Sequence, residues 1–236
     1  MSVVLQPSDL AWERIALGMQ RALRVEREAI FPGGELMPVS LPEFVRVPYL
    51  GWVGPRFNGT VIVAKNPGGG GDSQTDVTQH DRAVAEALLA LKTAGDGLAG
   101  AELRRVFEAF TAQAPTIGMG TLLGRVLDAL GEHREEIAFV NLCPYRTRMD
   151  KDPGAGAVRS CVSLVLAPLA EALQADTVVL MGGVAARAEP SLQARWIYKL
   201  KRRINDYQLH PDAALRLEEI RSSRGERAAA RGAQAR

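Results

Sequence analysis

The chain has 236 residues, 47% of them hydrophobic and 24% charged, with a formal net charge of +2. That is enough apolar material for one sizeable core in a single, soluble domain, and it excludes a globally basic protein. The two cysteines, Cys143 and Cys161, cannot supply a four-cysteine iron–sulfur or zinc site. With no signal peptide and no long apolar run, the expectation is a reduced cytoplasmic setting and no membrane partner.

In chain order, residues 8–28 predict a helix. Ser8 is the expected N-cap, and Trp12, Ile15, Met19 and Leu23 form one apolar stripe. Residues 31–58 are rich in Pro and Gly and read as irregular. Thr60 to Lys65 is a short β-rich run, expected to be a buried strand. Helical patterns follow over about 78–93, 100–113 and 119–130. The run "IAFVNL" (137–142) predicts a second buried strand. Residues 156–173 predict a helix that Pro168 kinks or interrupts. "TVVLM" (177–181) is a third strand ending at Gly182-Gly183, and another helix is expected to open near Ala185. Residues 190–209 mix aromatic and basic residues without a clear period, and 212–221 predict a helix. Between Arg221 and Arg236 lie five arginines and one glutamate, a net of +4. This segment reads as a flexible basic tail (222–236) after a single domain (1–221).

Nearly all-apolar strands separated by helices imply a mainly parallel sheet covered on both faces, an α/β architecture. Ligands of such sheets bind outside the carboxyl ends of the strands. At that rim stand Asn66 after the first strand, Asn141 and Cys143 at the end of the second, and Gly182-Gly183 after the third.

Asn66 opens the stretch "NPGGGGD". A Walker loop ends in Gly-Lys-Ser/Thr, but here Gly71 is followed by Asp72 and Ser73. A dinucleotide fingerprint counted from Gly69 meets Gln74 at its last glycine. Both phosphate-cradle readings fail on spacing, and Asp72 would repel phosphate. A plain flexible turn is the bland alternative. In a third reading, Pro67 pushes the Asn66 backbone toward an extended conformation and so aims its side chain, while the glycines admit a flat ligand or a phosphodiester close to the main chain.

Three motifs together resemble the uracil-DNA glycosylase superfamily, nearest to its mismatch-specific/thymine-DNA and single-strand-selective types. The first is Ala64-Lys65-Asn66-Pro67-Gly68, similar to a strand ending in Gly-x-Asn-Pro-Gly. The second is "FVNLCPYRT", with Asn141, Cys143 and Pro144 similar to an Asn-His-Cys-Pro run. The third is Leu209-His210-Pro211-Asp212, similar to a His-Pro-Ser loop before a helix. "VVLMGGVAA" (178–186) resembles the turn that precedes that last motif. The resemblance spans about residues 58–220. It implies a three-layer α/β/α sandwich that flips a base out of DNA and hydrolyses its N-glycosidic bond as a monomer, without metal or cofactor. By the same resemblance Asn66 positions the attacking water and Asn141 matches N3–H and O4 of uracil. His210 donates to O2, and Gly68 leaves the pocket open at the 5-position. Gln79 or His80 stands in for a stacking aromatic, because no Phe, Tyr or Trp occurs between Asn66 and Phe107.

The chain departs from the family pattern at two further places. Asp212 replaces a Ser that grips a DNA phosphate, and the wedging Leu falls at Ala214, beside Leu215. These departures fit a single-stranded substrate, another modified pyrimidine, or a nucleic-acid-binding member that cuts weakly or not at all. A basic run from Arg195 through Lys199, Lys201, Arg202 and Arg203, interleaved with Trp196, Ile197 and Tyr198, suits single-stranded DNA. Its alternative is a solvated helix face over core aromatics. Lys201, Arg202 and Arg203 are the expected DNA contacts.

Overall fold

The computed structural model describes residues 7–31, 47–65, 79–95, 97–113, 120–147, 152–201 and 210–234. Its centre is a five-stranded sheet in the order β1-β3-β2-β4-β5, formed by β1 (Gly51–Val53), β2 (Thr60–Ala64), β3 (Ile137–Asn141), β4 (Thr177–Met181) and β5 (Trp196–Leu200). β2, β3, β4 and β5 run parallel, and β1 pairs antiparallel with β3 at one edge. Every residue of β2 and β4 is buried, the signature of parallel strands covered on both faces.

One group of mutually packed helices comprises α1 (Pro7–Leu23), α2 (Arg27–Ile30), α3 (Gln79–Thr93), α4 (Ala99–Gln113), α6 (Ala155–Cys161) and α7 (Ala167–Leu173). A second comprises α5 (Gly120–Leu130), α8 (Pro211–Ser222) and α9 (Arg224–Gln234). A mixed α/β chain with a mostly parallel central sheet is compatible with an α/β sandwich.

The α1 stripe does what its spacing implies. Ile15, Met19 and Leu23 are buried, and Trp12 packs partly against the core. Full burial of each such side chain contributes roughly 1.5–3 kcal/mol. The helix begins at Pro7, so Ser8 stands inside the first turn and not at the N-cap. Proline suits a first helical position, where its missing N–H would have had no partner.

The irregular reading of 31–58 misses β1, a three-residue edge strand whose Gly51 has φ +125°. A Cβ on Gly51 would lie 2.0 Å from the Phe139 carbonyl oxygen, so only glycine passes there. Trp52 then packs edge-on to Phe107 and stacks on Phe139.

Pro168 does not stop its helix. Ala155–Leu173 is continuous, because residues 162–166 form a π turn in which the Ala167 N–H donates to Val162 O. That five-residue step takes up the bond and the space a proline denies an α-helix. Against the expectation of no long apolar run, this helix is long and apolar enough to cross a membrane by length and composition. Here it lies against α1 and buries Leu166, Leu169 and Leu173.

The helix expected near Ala185 is a 3-10 helix, Ala185–Ser191, with Pro190 inside it. The undecided stretch 190–209 contains β5.

The largest correction is the C-terminus. Residues 224–234 form helix α9, not a flexible tail. Arg227 is 2% exposed and donates from Nη1 to Ile220 O (2.8 Å), Ser223 Oγ (2.6 Å) and Tyr198 Oη (3.0 Å). Arg231 forms a two-pronged pair with Asp176 (2.9 and 3.0 Å) and reaches Glu132 Oε1 (2.7 Å), Thr60 Oγ1 (2.6 Å) and Thr177 Oγ1 (3.2 Å). Burial opposes the charge on Arg231, but the Asp176 and Glu132 carboxylates outweigh it and raise its pKa. Arg231 clamps the amino ends of β2 and β4, and Arg227 ties α9 to α8 and Tyr198.

Candidate functional site at the carboxyl rim of the sheet

β2 and β3 pair in register to their carboxyl ends, with Ala64 opposite Asn141. The pairing continues past the strands, where Leu142 N–H donates to Ala64 O and Cys143 N–H to Lys65 O, both 2.9 Å. Lys65 is therefore held beside the turn that follows Asn141. Asn66 and Gly68, the expected catalytic and pocket residues, lie outside the described residues, immediately beyond Lys65. His80 is in the first turn of α3, and its side chain is also outside the described residues.

Asn141 is 5% exposed. Its Nδ2 donates to the Tyr49 carbonyl at 2.8 Å, and its own N–H donates to Leu50 O at 2.7 Å. A carbonyl only accepts, so this contact fixes which way the amide faces. One Nδ2–H is spent. The second N–H and Oδ1 have no partner among the described residues.

Tyr49 is a residue that sequence reasoning missed. It lies 92 positions from Asn141, and nothing local to either marks the contact. It is held by the edge-on ring of Phe110 (5.0 Å between centroids) and by the Arg146 guanidinium over its ring (5.2 Å). Arg146 is itself 7% exposed.

Cys143 and Tyr145 of "FVNLCPYRT" are buried in the core. Cys143 and Cys161 are buried free thiols. The hydrogen bond with Cys143, then burial, push the Cys161 thiol far above its ordinary value. The Tyr145 hydroxyl donates to Val25 O at 2.8 Å, and burial raises its pKa.

Across the rim, β4 ends at Met181, and Gly182, with a φ of +92°, turns the chain. Lys201 follows β5 directly, and its Nζ donates to Asp212 Oδ2 at 2.5 Å. This contact brings the first turn of α8 to the carboxyl rim of β5. His210 is the N-cap of α8, and its Nδ1 accepts the Asp212 N–H at 3.2 Å. An Nδ1 that accepts leaves the ring proton on Nε2, so Nε2–H is the available donor. Among the large apolar side chains exposed in the structure, Leu215 is the most open, at 69%. It stands on α8 beside Ala214.

The basic run behaves differently from expectation. Its strand places Tyr198 under α9, where its hydroxyl is 2.6 Å from Ser223 Oγ and accepts from Arg227. Tyr198 is thus no stacking platform, and the solvated-helix alternative fails as well. Lys199 pairs with Glu189 at 2.7 Å, and Arg195 lies 4.5 Å from the Trp196 ring centroid. Arg202 and Arg203 lie outside the described residues.

No protein-family model matches the chain, and no curated protein matches it in sequence.

Proposed function

We propose that this chain is a DNA glycosylase that hydrolyses the N-glycosidic bond of uracil or a related modified pyrimidine, on a three-layer α/β/α sandwich of the uracil-DNA glycosylase type. It acts as a cytoplasmic monomer without metal or cofactor. The observation that carries this reading is Asn141: a buried amide at the strand end, oriented by Tyr49 O, with one N–H and Oδ1 unpartnered among the described residues. Uracil offers the complementary pair, N3–H and O4. His210 supports the same reading through its Nε2–H, which suits the O2 oxygen where negative charge develops.

In the reaction, the target nucleotide leaves the stack at a cost of a few kcal/mol, least when it is unpaired or mispaired. Asn66 orients a water whose oxygen bonds C1′ as the C1′–N1 bond breaks; the bonding pair leaves on the base, and the proton the water loses neutralises the departed base anion. Each preorganised donor to that anion is worth about 3 kcal/mol.

The test is a single-turnover assay on uracil-containing oligonucleotides, with alkaline cleavage reporting abasic sites. Wild type should cleave, and Asn66→Ala should lose roughly 10²–10⁴-fold in rate while retaining DNA affinity. Wild-type rates after mutation would remove Asn66 from the mechanism. A second reading, a member that binds DNA and cuts weakly or not at all, is favoured by Asp212, an acid at a phosphate-gripping position. Wild type that binds DNA and releases no base would establish it.

A further inference from the structure

A cleft of about 800 Å³ opens between α6 and the 3-10 helix Ala185–Ser191. It neighbours the rim just described. Asp152, two residues before the Gly154 that lines it, is tied to Lys65 at 2.9 Å, and Ala185–Ser191 follows β4 directly. Neither Asn141 nor His210 lines it, so it is separate from the proposed base pocket.

Its chemistry is one-sided. Arg159 and Ser160 from α6 share it with Arg187 and Ser191 from the 3-10 helix, and Phe31 is at its apolar floor. No acid lines it. Elsewhere on this part of the surface cations are matched: Lys65 with Asp152, Lys199 with Glu189, Lys201 with Asp212. Arg159 and Arg187 have no acidic partner among the described residues, and both are exposed. Two guanidiniums lining one cleft repel each other less when an anion sits between them, and their planar forks match phosphate oxygens.

We propose that this cleft is a phosphate site, and that it takes the phosphodiester backbone of the strand whose base enters the neighbouring pocket. The assignment to a strand rests on the proposed glycosylase reading; the phosphate chemistry does not. Gly156 provides a clean blocking position. A Cβ there meets nothing within 4 Å, and an acid in a first helical turn is not destabilising.

The experiment measures binding of a fluorescein-labelled single-stranded oligothymidine, free of uracil, over a series of salt concentrations. Arg159→Gln/Arg187→Gln should lower the slope of log K against log salt by about 1.4 and weaken binding roughly tenfold at 0.1 M salt. Gly156→Glu should weaken it similarly, with the melting temperature of each variant at the wild-type value. Calorimetry with dUMP and with inorganic phosphate distinguishes the source of the phosphate. Loss of dUMP binding with an unchanged oligonucleotide slope makes the cleft a mononucleotide site and overturns the strand assignment. Slopes and affinities that match wild type in both variants, or a wild type that binds none of the three ligands, overturn the proposal entirely. Excision by the wild type is scored separately. A falling slope without excision sinks the glycosylase reading and keeps the cleft; excision with an unchanged slope does the reverse.

Discussion

Replacing Arg231 by alanine should destabilise this protein far more than replacing a solvent-exposed arginine such as Arg221. The side chains involved are 21% (Arg231), 8% (Glu132) and 13% (Asp176) exposed, so the pairs are largely withdrawn from water. Five hydrogen bonds to four partners end on this one guanidinium. Its loss would leave two carboxylates poorly solvated, and Glu132 Oε2 already lacks a partner. Breaking a buried pair by removing one member costs about 3–5 kcal/mol, and the residual exposure argues for about 3 here. For a domain of this size, 1 kcal/mol moves Tm by about 2–4 °C, so the expected drop is about 6–12 °C. Thermal and urea unfolding, followed by circular dichroism, would read it. Arg221→Ala is the control: its pair with Glu218 is solvent-exposed, and its loss should stay within about 0.5 kcal/mol. An Arg231→Ala variant within about 1 kcal/mol of wild type would refute the clamp. Truncation after Ser222 should cost at least as much, since it removes Arg227 too.

Two further outcomes concern the rim. The Lys201 hydrogen bond holds the Asp212 carboxyl below the usual carboxylate range. A depressed folded-state pKa keeps the pair intact at neutral pH and above, and loses it as pH falls below about 4 through that depressed value. Asp212→Asn should therefore free Lys201 at neutral pH, tightening oligonucleotide binding and steepening its salt dependence by up to about one contact; equal slopes in the two proteins would show that Lys201 faces no phosphate. At Gly68, the absence of a side chain should permit 5-substituted uracils such as 5-hydroxymethyluracil, and Gly68→Tyr should abolish that tolerance while sparing uracil. A wild type that cleaves uracil but rejects every 5-substituted analogue would mean another residue closes the pocket, at a cost of about 1–3 kcal/mol per misplaced methyl.

The elements legible in the chain are those whose evidence is local. β2, β3 and β4 are short continuous apolar runs because each is buried on both faces, and the run of β3 by itself puts Asn141 at the rim. The α1 stripe is a period of 3.6 written in four side chains. β1 and β5 were not legible, because an edge strand of three or five residues draws its stability from the partner it pairs with. Nor was the orientation of the Asn141 amide, which depends on a carbonyl in a different part of the chain.

The C-terminus is the sharpest case. Arginine among alanines and glycines ordinarily means a solvated tail, since a charge is buried only when paired. The partners of Arg231 are Asp176, Glu132, Thr60 and Thr177, which lie between 54 and 171 positions away. Sequence showed only that this segment is basic, and by its composition it read as a flexible tail. Only the fold, by gathering two acids and two hydroxyls at the amino ends of adjacent strands, decided that its arginines would be held inside.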